Sequence, residues 1–566
     1  ERIAIDAQRK YPATNDRRGT TMVPLQEAVV GDVRAPLMYL GAAVLLLLLI
    51  ACANIANLML VQASARRREM AVRAALGAGR ARIARQLLVE GLLLALLSGA
   101  AGVALAWRGT EAIARVAIDY VPRVTTIGID PAVLAFAVAL SIVTGLLFTL
   151  VPALRASRSD VQRDLRDAGR GSTAQGRIFR DALVIGEFAA AVVLVAGGAL
   201  LVASFWRVLQ VNPGFTTAQV AGVDAELAGA RYQTGAALTQ FYADLTARLT
   251  AIPGIRAAAV VNNLPLDGDG WTAWLTIEHR PRPAGEPPEV GYRQATPGYL
   301  AAMQIPLRQG RWIADSDTAT SMPVVVVNQA LADRFFPSGA AVGSRIRLGP
   351  NPKAPWRTIV GIIGNVRHDG PERDAGPEAF NALAQDPIEG FLVVRADLDR
   401  GALVSAVRAT AASIDPSVVI SRVRWLDALM DEHLAPRRLS MLLVEGFAAV
   451  ALGLALLGIY GVVSYTVAQR VPEIGVRIAL GAAPPAIHRM VLGDGLRLAI
   501  PGLVVGIAIA LAVARLARSV LFDVSPADPA VFTAVVALML VVATLACYLP
   551  ARRAAHVDPV QAIRAE

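Results

Sequence analysis

Seven segments of the chain are almost unbroken runs of apolar residues: 37–61, 87–107, 131–151, 182–205, 441–467, 491–513 and 529–549. Each holds about twenty residues or more, enough at ~1.5 Å of helical rise per residue to cross a ~30 Å hydrocarbon layer. Helices buried in soluble cores are usually shorter, so the pattern predicts seven spanning helices. Between the fourth and fifth runs the pattern changes. Residues 220–225, 236–251 and 255–262 read as strand, helix, strand, and 391–396, 402–414 and 418–423 repeat that order. Residues 323–327 and 358–366 read as further strands, so the region is a mixed α/β body with an inserted subdomain.

Composition agrees with a membrane protein: 55% of the 566 residues are hydrophobic and mean hydropathy is +0.49. Net charge is +10, and because Lys10 and Lys353 are the only lysines the excess is nearly all arginine. The arginines crowd four segments. Arg66, Arg67, Arg68, Arg73, Arg80, Arg82 and Arg85 share one inter-helix loop. Arg155, Arg158, Arg163, Arg166, Arg170, Arg177 and Arg180 share another, Arg470, Arg477 and Arg489 a third, and Arg552, Arg553 and Arg564 follow the last run. Alternate connections lack this excess, so the positive-inside rule places the four basic segments in the cytoplasm and residues 207–436 outside. Basic charge placed beside spans in this way points to the lipid bilayer and not to nucleic acid.

The chain also repeats itself. A shift of 404 residues aligns Glu69 with Glu473, Arg73 with Arg477, Leu76 with Leu480 and Gly77 with Gly481. The same shift lays helix 37–61 on 441–465, and Ser98 and Gly102 on Gly502 and Gly506, both pairs at the small-xxx-small spacing that lets helix backbones approach in lipid. The fold class expected is a polytopic α-helical membrane protein with a large mixed α/β extracytoplasmic domain. Its three-helix unit is internally duplicated and its first copy is truncated at the N-terminus. Residues 1–36 are the tail of a first outer domain, 37–152 and 441–551 the two three-helix domains, and 153–181 a cytoplasmic linker. Residues 182–206 form a further helix, 207–436 the outer domain and 552–566 a cytoplasmic tail. By symmetry, one more helix and one more outer domain are expected upstream.

Within the repeat, Glu precedes Arg by four residues, the better orientation for a helical ion pair, and glycine follows where a left-handed C-cap is needed. Each copy therefore predicts a short charged helix on the cytoplasmic surface, then a turn, then the next span. This E-x-x-x-R-x-A-L-G-A phrase, lying between the first two of three C-terminal spans, resembles the FtsX-type permease domain of MacB-like ABC systems. NPGF at 212–215 and VVVVNQALADRFFP at 324–337 are similar to the MacB-like periplasmic core domain. Two copies in one chain resemble the duplicated orphan permeases of the acidobacterial type. The resemblance implies a permease of the bacterial inner membrane that works with a separate cytoplasmic ABC ATPase and moves a periplasmic domain, with a periplasmic or outer-membrane partner. It implies that Glu69, Arg73, Leu76 and Gly77, and Glu473, Arg477, Leu480 and Gly481, lie next to the ATPase. The second copy departs from the first at Ala483-Pro484-Pro485, where the first has Gly79-Arg80-Ala81.

No catalytic, cofactor-binding or metal site is expected. Neither lysine sits in G-x-x-x-x-G-K-[ST], so this stretch does not hydrolyse ATP through that loop. The five histidines form no H-E-x-x-H, and Cys52 and Cys547 both fall inside apolar runs. Asp267-Gly-Asp269-Gly opens like a calcium loop, but Trp271 and Thr272 replace the oxygen and glycine that such a loop needs, leaving a surface turn. Two other function classes stay open. An ion-coupled secondary transporter would place ionisable groups near the bilayer midplane, whereas Glu90, Glu187, Asp494 and Arg497 read as near the cytoplasmic ends. Asn54 and Asn57 are the deepest polar pair and read as bonds between helices. A non-transporting signalling or scaffold protein would have the same layout.

Overall fold

The computed structural model describes residues 2–10, 22–65, 80–117, 130–158, 174–227, 230–268, 270–280, 287–518 and 520–556. All seven apolar runs are helical. Following α1 (Arg2–Lys10) come α2 (Leu25–Ala65), α3 (Arg80–Ala117), α4 (Pro131–Arg158) and α5 (Ala174–Leu209). After the outer region come α10 (Leu426–Gln469), the short α11 (Val471–Ala479), α12 (Pro484–Leu516) and α13 (Pro529–Ala555). Among the described residues, five helices are long and apolar enough to cross a membrane: α2, α5, α10, α12 and α13. The chain divides into two units, residues 1–29 with 208–435 and residues 30–207 with 436–566.

The helical unit is built inside out. Large apolar side chains of α12 and α13, among them Val504, Leu516, Val541 and Leu545, lie more than half exposed or close to it, as a lipid-facing surface requires. By contrast α5 is buried from Ala191 to Ala196 with hardly a break, and a helix apolar all round is one that others surround. Side-chain contacts group the helix ends into two sets. At one end Arg180 of α5 lies 4.7 Å from the ring of Tyr465 of α10, and Arg553 of α13 donates to Tyr460 of α10 at 3.3 Å. At the other, Arg207 of α5 donates to the Asp523 carbonyl at 2.6 Å, and Arg437 of α10 to that of Val520 at 3.1 Å.

The outer unit is one mixed sheet in two parts. Strand β1 (Val220–Glu226), helix α6 (Gly235–Thr250) and β2 (Ile255–Val261) form the first β-α-β unit. The chain then runs through β3 (Thr272–Ile277), β4 (Glu289–Ala295), α7 (Tyr299–Met303), β5 (Leu307–Gly310), β6 (Val324–Asn328) and α8 (Gln329–Phe335). It continues through β7 (Arg345–Leu348), β8 (Arg357–Ile363) and β9 (Glu378–Ala382), and ends with β10 (Phe391–Ala396), α9 (Arg400–Ile414) and β11 (Val419–Trp425). The outermost strands pair in the order β11-β1-β10-β2, all antiparallel, which is the split β-α-β arrangement. Leu245 and Leu249 of α6 and Leu403 and Val407 of α9 cover one face of these four strands. The inserted part follows β4-β3-β7-β8-β6-β9, and a parallel β9–β4 pairing closes it into a six-stranded ring. Asn328 pins the ring: fully buried, its Oδ1 accepts from the N–H groups of Leu331 and Glu378 at 2.9 Å each. In the NPGF turn Gly214 has φ +87°, and a Cβ there would fall 1.8 Å from the Asn365 carbonyl oxygen, so only glycine fits. Asp267 of the calcium-like phrase pairs with Arg424.

Candidate functional site

The second copy of the repeated phrase forms α11. Arg470 alone separates it from α10, and Pro472 stands in its first turn, where a missing N–H costs nothing. Ile474 and Gly475 turn inward, and Ile474 is fully buried in the helical core. Glu473, Val476, Arg477 and Leu480 face outward. Arg477 Nη2 lies 2.6 Å from Glu473 Oε1, the predicted i,i+4 pair, and Arg477 Nη1 lies 3.1 Å from Met490 Sδ of α12. Arg470 reaches Asp494 Oδ2 of α12 at 2.9 Å and also lies 4.0 Å from Glu473 Oε2. Glu473 and Arg477 are each about half exposed, so their pair contributes ~0–1 kcal/mol. The burial of Ile474 fixes the helix; the charges orient its outer face.

The helix ends in a Schellman motif. The Gly481 N–H donates to the Ile478 carbonyl and the Ala482 N–H to the Arg477 carbonyl, both at 2.9 Å, with Gly481 at φ +93°. This ending throws Leu480 out to 83% exposure, with half-exposed Val476 one turn before it. The result is an apolar spot beside the Glu473–Arg477 pair on a short helix braced from behind. Such a surface can dock a protein; it holds no nucleophile, acid–base pair or phosphate cradle.

Glu69, Arg73, Leu76 and Gly77 lie outside the described residues. Gly502 and Gly506 face α5: a Cβ on Gly502 would come within 2.9 Å of the Ile185 carbonyl oxygen, and one on Gly506 within 2.6 Å of Val192 Cβ. Ser98 is exposed, and no described atom lies within 4 Å of a Cβ built on Gly102. In α3 it is Gly99, one residue from Ser98, that approaches α4: a Cβ built there would lie 3.3 Å from Ser141 Oγ. The sequence reading missed the Arg470–Asp494 bridge. Its partners sit on either side of α11, and only the helical hairpin brings them together.

Two family models match the chain. The family model "FtsX-like permease C-terminal" matches residues 41–161 and again 446–559, and "MacB-like periplasmic core domain" matches 124–380. The pyoverdine export ATP-binding/permease protein PvdT of Pseudomonas putida is 27% identical over 46% of this chain and 41% of its own length. An ABC transporter permease of Bacillus subtilis, YvrN, is 26% identical over 47% of this chain and 68% of its own. Among solved structures, the periplasmic region of MacB from Actinobacillus actinomycetemcomitans aligns over 39% of this chain and 95% of its own, with TM-score 0.27 and 10% identity. The chain spans about two-fifths of the length of the export relatives it matches.

Proposed function

Since the chain belongs to the FtsX-like, MacB-like family of ABC-type permeases and is a multi-pass membrane protein with a periplasmic domain, we propose that it couples a separate cytoplasmic ATPase to movement of that domain. It sits in the bacterial inner membrane. The ATPase docks on α11 and on the equivalent residues 69–77 of a first permease copy, so one chain supplies both halves of the pair. The relatives named for pyoverdine and macrolide export are ATP-binding/permease proteins, whereas the residues present here hold no G-x-x-x-x-G-K-[ST] sequence. The work must then come from another polypeptide or from residues beyond these, and efflux or force transmission is its use.

The observation that carries this reading is the outward presentation of Leu480 and Val476 on a helix locked by Ile474 and closed by Gly481. A photoreactive amino acid at Leu480 tests it in cells that also make a candidate ABC ATPase partner. Crosslinking to the ATPase is expected from position 480, and none from Trp271 of the outer domain. Equal capture from both positions, or capture from Trp271 alone, would refute the docking assignment.

A further inference from the structure

One carboxyl group lies deep in the helical unit with no cation paired to it among the described residues. Glu187 of α5 is 3% exposed. Asn54 of α2 donates through Nδ2 to Glu187 Oε1 at 2.5 Å and to the Leu454 carbonyl of α10 at 2.9 Å. On its other side the carboxyl lies against Gly458 of α10. A Cβ built there would fall 2.4 Å from Glu187 Oε2 and 2.7 Å from Oε1, and Oε2 has no hydrogen-bond partner among the described residues.

The shift of 404 residues that relates the two copies carries Asn54 onto Gly458. The two positions touching the carboxyl are thus the same position of the repeat, with opposite contents. Asparagine at both would overfill the space beside Oε2. Glycine at both would leave the carboxyl with no donor among the described residues, inside an apolar bundle where an unmade hydrogen bond is expensive. Only the unlike pair seats it.

We propose that Glu187 is a positioning residue that makes the two permease copies non-interchangeable: α5 reads the first copy by a hydrogen bond from Asn54 and the second by the bare backbone of Gly458. A single buried polar contact that fixes which helix meets which is a known route to specificity. The inference rests on the duplication in the sequence and on packing, not on the ATPase, so its test needs no partner.

The test measures the thermal midpoint of the purified chain in detergent. Gly458→Ala is expected to lower it by several degrees, while Gly453→Ala, also in α10 with no described atom within 4 Å of its built Cβ, leaves it unchanged or raises it. In a Glu187→Ala background the Gly458→Ala loss should vanish; if Gly458→Ala alone yields no folded protein, its recovery by Glu187→Ala is the same readout. Glu187→Gln, whose amide oxygen still accepts from Asn54, should keep most of the wild-type midpoint, and Asn54→Leu should not. The exchange of Asn54→Gly with Gly458→Asn should be less stable than wild type. An exchange variant as stable as wild type, or a Gly458→Ala loss of equal size with and without Glu187, would overturn the proposal.

Discussion

Gly506→Ala adds one methyl group at the place where α12 crosses α5. The built Cβ falls 2.6 Å from Val192 Cβ and 2.8 Å from the Ala189 carbonyl oxygen. Both atoms are fixed to the backbone of α5, so no side-chain rotation makes room. Carbon–carbon contacts are most favourable at ~3.5–4.0 Å, so the helices must separate by roughly 1 Å along this seam. Overpacking of this kind costs ~1–3 kcal/mol. Against it, alanine gains ~0.8–1.0 kcal/mol over glycine in a helix interior. Gly493 lies in the same helix with no described atom within 4 Å of its built Cβ, so Gly493→Ala collects that gain without the clash. The propensity term cancels between the two variants and leaves a difference of ~1–3 kcal/mol set by packing alone. Unfolding of the purified chain in detergent by added SDS, followed by circular dichroism, reads it. If Gly506→Ala proves as stable as Gly493→Ala, the seam between α12 and α5 is not as described.

Two further outcomes concern the outer unit. Asn328→Ala strips the acceptor from two N–H groups, those of Leu331 and Glu378, and removes the bond from Nδ2 to the Gly376 carbonyl at 2.7 Å. A loss of ~2–4 kcal/mol is expected, seen as a lower denaturation midpoint, and Asn328→Asp should recover part of it by restoring the acceptor. The Asp415 carboxylate accepts from Ser417 Oγ at 2.6 Å and from the Tyr232 hydroxyl at 2.7 Å, which hold its pKa down to about 2. The folded value lies below the ordinary ~3.9 of aspartate, so these bonds stabilise the fold above pH ~4 and that stability is lost as pH falls toward 2. Tyr232→Phe should therefore lower the thermal midpoint at pH 6, with a difference from wild type that shrinks through this acid range.

Features set by local sequence were legible, and features set by distant pairing were not. Long unbroken apolar runs form helices, so α2 to α5, α10, α12 and α13 stand where the hydrophobic pattern puts them, and among the described residues five of these are long and apolar enough to cross a membrane. The strand–helix–strand order at both ends of the outer region also shows in the sequence, because each unit is contiguous. The closed ring does not show, since its closing pair joins Gly291 to Glu378 across most of the insert and no local spacing records it. For α11, the Glu473–Arg477 spacing and Gly481 give the helix and its ending, but not the bracing of Arg470 by Asp494. Glu187 read as one more acid near a cytoplasmic end; its meaning appears only when Asn54 and Gly458 are brought to its two sides.

The central claim is that work enters through the repeated Glu-x-x-x-Arg phrase. Its most direct test is ATP hydrolysis by the partner ATPase reconstituted with this chain in liposomes, wild type against the double variant Arg73→Glu with Arg477→Glu. The account predicts that the double variant inserts normally but no longer changes the rate of hydrolysis. Stimulation equal to wild type from a correctly inserted double variant would contradict it.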